Sequence, residues 1–181
     1  MQSQTSVLSL LNDYQPKDPE EQKARLFIQD FVQQQTAFWS RETLSGHLTA
    51  SAWITDRDCR QAVLLHHRKL DMWVQPGGHI DASDPSLIDA SRREAIEETG
   101  LDGLYPKHRD IFDLDVHAIP ARKSEPEHWH LDIRFWWVAD DLSLQINEES
   151  NDLAWLSAAE IRKRTDEESV LRMVRKTLRE S

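Results

Sequence analysis

The chain has 181 residues, 39% of them hydrophobic and seven of them Trp, with a net charge of −10. That length suits one domain with a continuous core. The acidic balance disfavours a nucleic-acid polymer as main partner, because phosphate backbones are bound through a surplus of Lys and Arg; an anionic small molecule would need a metal to screen it. Cys59 is the single cysteine and cannot form an internal disulfide. The N-terminus MQSQTSVLSLL lacks the charged-then-apolar layout of a signal peptide, and no apolar run approaches a membrane span, so the expected location is cytoplasmic with no membrane partner.

Residues 1–45 are Gln-rich, charged and helix-favouring. Within them Pro19 to Val32 places Phe27, Ile28 and Phe31 at helical spacing. This predicts an amphipathic helix packed on the domain or on a second copy, so a homodimer is one expectation. From His47 the period changes to two: Leu48, Ala50, Ala52 and Ile54 alternate with His47, Thr49, Ser51 and Trp53, as in a strand. Asp56-Arg57-Asp58 makes a turn, Gln61 to His67 is a second strand, and Met72 to Gln75 a short one. Pro76-Gly77-Gly78 then reads as a tight turn of bare backbone. A helix over Pro85 to Thr99 follows, with Asp84 as N-cap and Gly100 as its stop. Ile111 to Ile119 and His128 to Val138 are further strands, and Ala154 to Leu156 lies in another. Ser157-x-x-Glu160 and Thr165-x-x-Glu168 read as capping boxes that open two C-terminal helices.

The most informative feature is on the helix before Gly100. Glu94, Glu97 and Glu98 stand at i, i+3 and i+4 and so share one face. Like charges at that spacing repel unless something positive sits among them, and hard oxygen donors in this array suit Mg²⁺ or Mn²⁺. The plain alternative is a solvated acidic face. Leu87 and Ala90 continue the stripe toward the helix start, which implies that the face is turned to protein.

These residues carry a resemblance. Gly78, followed by Arg93-Glu94-Ala95-Ile96-Glu97-Glu98-Thr99-Gly100-Leu101, resembles the Nudix box, G-x5-E-x7-R-E-U-x-E-E-x-G-U with U aliphatic. Ala95 fills the first U position, Asp84 stands where the pattern has its first glutamate, and one extra residue separates Asp84 from Arg93. The resemblance implies an α/β fold, a Nudix-like α/β/α sandwich with a mixed β-sheet, over roughly residues 46–160. The expected organisation is an N-terminal helical extension, 1–45, and a Nudix hydrolase domain, 46–181. It also implies metal-dependent hydrolysis of a diphosphate linkage in a nucleoside diphosphate derivative or nucleotide, with Mg²⁺ or Mn²⁺ as cofactor. Glu94 and Glu98 would be ligands, Glu97 a ligand or a water-mediated partner and the Gly78 carbonyl a further ligand, while Arg93 would brace the loop or the neighbouring carboxylates. For the general base two sources stay open: Glu97 in the box, or Glu149 in the acidic loop Asn147 to Ser150.

Histidines are the other unusual feature. Asp113, Asp115 and His117 alternate with apolar residues on one strand, and His128, His130, Asp132 and Arg134 do so on the next, so each strand has one wet face. Paired as a hairpin around the loop Pro120 to Glu127, they would bring His117 near His130. That face is a substrate pocket, a second metal position or a plain polar sheet surface. His79, Arg68, His117, His130 and Arg134 are the candidate contacts for a small phosphoanhydride substrate. Arg68, with His66, His67, Lys69 and Trp73, would equally suit a solvated hairpin end. Two readings of other classes accompany the hydrolase. One is an enzyme like isopentenyl diphosphate isomerase, which the histidines invite and the isolated Cys59 disfavours. The other is a non-catalytic nucleotide-sensing Nudix domain, against which the intact glutamate triplet argues.

Overall fold

A computed structural model describes residues 2–121, 126–147 and 150–179. Two compact units emerge. One gathers Met1–Ala50, Gly78–Ser91 and Asp110–Phe135, the other Ser51–Gly77, Arg92–Arg109 and Trp136–Ser181. Strands β1 (Gly46–Asp56) and β7 (His128–Ala139) and helix α3 (Leu87–Thr99) each begin in the first unit and end in the second.

The first unit holds α1 (Gln4–Asp13), α2 (Pro19–Gln34) and β6 (Asp113–Ile119). Asp18 accepts from the Glu21 amide at 2.9 Å and Pro19 occupies the first helical turn, so the run Asp-Pro-Glu-Glu starts α2 in register. Its buried stripe is Glu21, Ala24, Ile28 and Val32. The expected stripe of Phe27, Ile28 and Phe31 is therefore corrected: Phe27 is 43% exposed. A small residue and two β-branched ones let α2 lie close on α1 and β6, while buried Glu21 is satisfied by the Tyr14 hydroxyl at 2.8 Å and by the Lys17 amide. Strands β6 and β7 pair antiparallel with His117 directly opposite His130, the hairpin that their alternation predicts.

The second unit is built around β2 (Gln61–His67). One edge of β2 carries β8 (Ser150–Ser157) along its whole length; the other pairs with β1 at Thr55↔Ala62 and with β3 (Met72–Val74) at Leu65↔Val74. β5 (Leu104–Pro106), absent from the sequence reading, pairs with the end of β7. Of the two expected C-terminal helices, α4 (Ala158–Ile161) has its capping box, the Ser157 and Glu160 side chains serving each other's backbone amides. The other, α5 (Glu168–Thr177), starts later than its box predicts. Thr165 spends its hydroxyl on the Glu167 amide instead, at 3.2 Å, and leaves the α5 cap unfilled.

The strand expected from His47 is β1, and every one of its residues from Gly46 to Thr55 is buried, so both faces of the alternation are covered. Two further expectations change. The Gly77-Gly78 turn is extended: β4 (Gly77–His79) pairs with β1. Helix α3 starts at Leu87, two residues after the expected Pro85, because Ser86 is the cap, its hydroxyl accepting from the Asp89 amide at 3.3 Å. Asp84 is buried and instead closes a turn, accepting from the Asp81 amide at 2.8 Å. Among the described residues no helix is long and apolar enough to cross a membrane.

Candidate functional site

The glutamates sit on the last two turns of α3, which Gly100 ends at φ +72°, its amide bonded to the Ile96 carbonyl at 2.8 Å. Leu87 and Ala90 are fully buried on the same helix. Continuing that stripe, Glu98 is 6% exposed and accepts the Gly77 amide at 2.8 Å. Gly77 is required there for space: a Cβ would lie 2.2 Å from the Ser51 hydroxyl and 2.6 Å from the Ser51 Cα. The bare backbone of that strand start thus feeds an amide into the carboxylate.

Arg93 supplies the positive charge that the triplet needs. Its Nη1 lies 2.8 Å from Glu94 and 3.2 Å from Glu97, so it offsets the i, i+3 repulsion. The Glu94 side chain is 15% exposed and that of Glu97 57%, which puts Glu97 on the solvent edge of the face. Three hard oxygen donors on one face, two of them paired with Arg93 and the third held by the Gly77 amide, are a donor set that fits a divalent cation such as Mg²⁺ or Mn²⁺. The loop after β7 is tied to the same helix end, the Gln145 amide to the Thr99 carbonyl at 2.8 Å and the Asn147 side chain to the Glu97 carbonyl at 3.3 Å. Glu149, the loop's candidate base, lies outside the described residues, as does Glu148.

Arg68 stands at the β2–β3 hairpin end, 3.3 Å from Asn151, next to His67, whose Nδ1 accepts the Lys69 and Leu70 amides. Cys59 closes the β1–β2 turn at φ +55°, its carbonyl taken by the Arg179 amide.

In the first unit the histidines converge. His47, at the start of β1, has ring centroids of His79, His128 and His130 at 5.1, 5.2 and 4.9 Å. His117 stands 5.6 Å from His130, and His79 5.3 Å from it. Gly46 makes this approach feasible, since a Cβ there would lie 2.7 Å from the Trp129 carbonyl. His47 is 3% exposed, and neither of its ring nitrogens has a hydrogen-bond partner. Burial, then the neighbouring His79, His128 and Arg41, pushes the His47 imidazolium down to about 4. Burial, then His47, His117, His79 and His128, takes His130 to about 2. Both rings are therefore neutral at pH 7.

The sequence reading joined His117 to His130 but missed His47, since a lone histidine on a strand carries no signal of its own. The usable sign was the repeated pair Gly46-His47 and Gly78-His79. Arg134 is also placed otherwise than on an open face. It is buried among Asp132 at 2.8 Å, Asp113 at 3.3 Å and Asp115 at 3.4 Å, and Asp132 is further held by Thr49 at 3.0 Å. Burial works to lower the guanidinium pKa; the three carboxylates outweigh it and hold it above its ordinary value.

With this geometry known, comparison with known proteins is direct. The profile of the NUDIX domain matches residues 46–176. Over 66 residues the chain is 38% identical to the m7GpppN-mRNA hydrolase NUDT17 of Danio rerio; the match spans 33% of this chain and only 22% of that protein. A NUDIX-family hydrolase from Clostridium perfringens superposes with a TM-score of 0.54 at 24% identity, over 72% of this chain and 94% of its own. The NUDIX domain of Shewanella oneidensis NrtR, solved with ADP ribose, does so at 0.52 and 22%, over 71% and 86%. These likenesses agree on an α/β fold with a mixed sheet and flanking helices, here preceded by α1 and α2.

Proposed function

Since the chain belongs to the NUDIX family, we propose that it is a metal-dependent hydrolase of a diphosphate linkage in a nucleoside diphosphate derivative or nucleotide. The carrying observation is the triplet Glu94, Glu97 and Glu98 on one helix face, the first two braced by Arg93 and Glu98 anchored on the Gly77 amide. These three carboxylates would hold Mg²⁺ or Mn²⁺, with the Gly78 carbonyl as the further donor that the resemblance implies. Bound there, the metal supplies charge screening of the diphosphate and a water of lowered pKa. Glu98 sets the position of the carboxylate group through a backbone amide, so the donor geometry is fixed before substrate arrives. Glu94 is oriented by Arg93, and Glu97, paired with the same arginine at the solvent edge of the face, would serve either as the third donor or as the base that takes a proton from an attacking water. Glu149 is the alternative base; the hydrogen bonds of Gln145 and Asn147 to the end of α3 support keeping it in that role. The ADP ribose bound by the NrtR domain and the capped RNA named for NUDT17 support a nucleotide-containing diphosphate as the substrate class.

The decisive measurement is phosphate or mononucleotide release from a panel of nucleotides, dinucleotides and nucleotide sugars with Mg²⁺ and Mn²⁺. Glu98→Gln keeps an oxygen for the Gly77 amide and removes the charge, so kcat is expected to fall on the order of 10²-fold or more with the fold intact. Undiminished turnover in that variant rules out the site. Binding of a nucleotide without turnover of any diphosphate by the unaltered chain would favour the sensor instead.

A further inference from the structure

His47, His79 and His130 each bring a ring nitrogen to within 4.8 Å of the other two. They come from three separate strands, β1, β4 and β7, and all three residues lie within the first unit. We propose that these three imidazoles form a binding site for a divalent transition metal, with zinc as its best-suited ion, chemically distinct from the carboxylate site on α3 and independent of the reading of that site.

Three observations converge on this. The ligand atoms of a triangle no wider than 4.8 Å need to swing inward by roughly 0.7 Å to reach the metal–nitrogen distance of about 2.0–2.1 Å. His47 is buried with both ring nitrogens lacking a hydrogen-bond partner, so it holds a lone pair in the interior with nothing yet to receive it. His128, which stands 5.2 Å ring to ring from both His47 and His130, is oriented from behind: its Nδ1 donates to the Pro126 carbonyl at 2.9 Å, which leaves Nε2 as the bare nitrogen of a candidate fourth ligand.

The donor set decides the ion. Three imidazole nitrogens without a carboxylate suit zinc and its transition-metal neighbours, while Mg²⁺ prefers oxygen. Three neutral ligands leave the full double charge of the ion uncancelled and a fourth position for water or for His128.

The test is a Co²⁺ and Zn²⁺ titration of the whole metal-stripped chain in millimolar Mg²⁺, read by the visible absorption bands of cobalt and by calorimetry. One equivalent is expected to bind, Zn²⁺ displacing Co²⁺ and Mg²⁺ competing with neither. His79→Gln and His130→Gln should each weaken binding about tenfold or more, while Glu98→Gln leaves it unchanged. Absence of cobalt bands in the unaltered chain overturns the site, as does full binding by the His79→Gln/His130→Gln pair with native circular dichroism. Loss of the bands in Glu98→Gln overturns it too, by assigning the metal to the carboxylates. Turnover of Glu98→Gln is read separately, so the two sites stand or fall apart.

Discussion

Arg134 has a side chain only 3% exposed, and a charge so placed persists only where its partners replace water. Asp132, Asp113 and Asp115 do so. Removing the guanidinium would strand carboxylates at Asp113 and Asp132 that are at least as buried. Arg134→Met is therefore expected to destabilise the fold by about 3–5 kcal/mol, measured as a lower denaturation midpoint in urea; an unchanged midpoint would show that the network is not structural. The histidines make the opposite statement about charge. In the metal-free protein, His47 and His130 stay neutral down to about 4 and about 2, below their ordinary 6.5. The unfolded chain takes up protons there from pH 6.5 downward and the folded chain does not. The stability from these two rings is therefore fully present above about pH 7 and is lost as the pH falls below 6.5, to about 4 for His47 and beyond for His130. Thermal unfolding in chelator from pH 8 to pH 5 should show a flat region and then a decline. Replacing His47 by Gln should remove part of that decline, and a variant with the same slope would refute its cause.

At the scale of elements, α3 shows how local chemistry defines a site-bearing helix. Its beginning is set by Ser86, not by the Asp-Pro pair before it, because Asp84 is drawn into the turn with Asp81. Ser86→Ala should cost about 1 kcal/mol; Pro85→Ala should cost less. Its end is stricter. Gly100 combines φ +72° with a Cβ position 2.7 Å from the Gln145 Cβ, so Gly100→Ala is expected to cost about 1 kcal/mol in backbone strain alone, with more from the contact. It should also reduce kcat, since Gln145 and Asn147 hold the loop that leads to Glu149 against this helix end. Hydrogen exchange of the Gln145 amide, faster in Gly100→Ala, is the check.

At the scale of the whole molecule, the N-terminal helices contribute to the core of the first unit. Val7, Leu11, Ile28 and Val32 are fully buried, each contributing about 1.5–3 kcal/mol of burial. Their sum is comparable to the net stability of a typical domain, about 5–15 kcal/mol. A chain starting at residue 36 is thus expected to be insoluble or to melt far below the full chain; an unaltered melting temperature would mean that α1 and α2 are dispensable. The apolar stripe of α2 is covered within its own chain, which removes the reason for which a second copy was invoked, although Leu26 and Phe27 remain exposed.

The parts of fold and site legible in the sequence are those coded within a few residues. Helix periodicity, the Gly100 stop, the Ser157 capping box and the hairpin register of His117 on His130 are local, because a turn or a cap is made by neighbours in the chain. The glutamate triplet and its family were legible for the same reason, lying on one helix within a fixed spacing. What tertiary structure alone decided is which polar groups leave water. The strand alternation of Asp113, Asp132 and Arg134 reads as a wet face; packing turns it into a buried ion network. Likewise His47 lies 32 residues before His79 and 83 before His130, and no local pattern joins them. Only the folding of three strands onto one another, with Gly46 admitting the close approach, brings their nitrogens together.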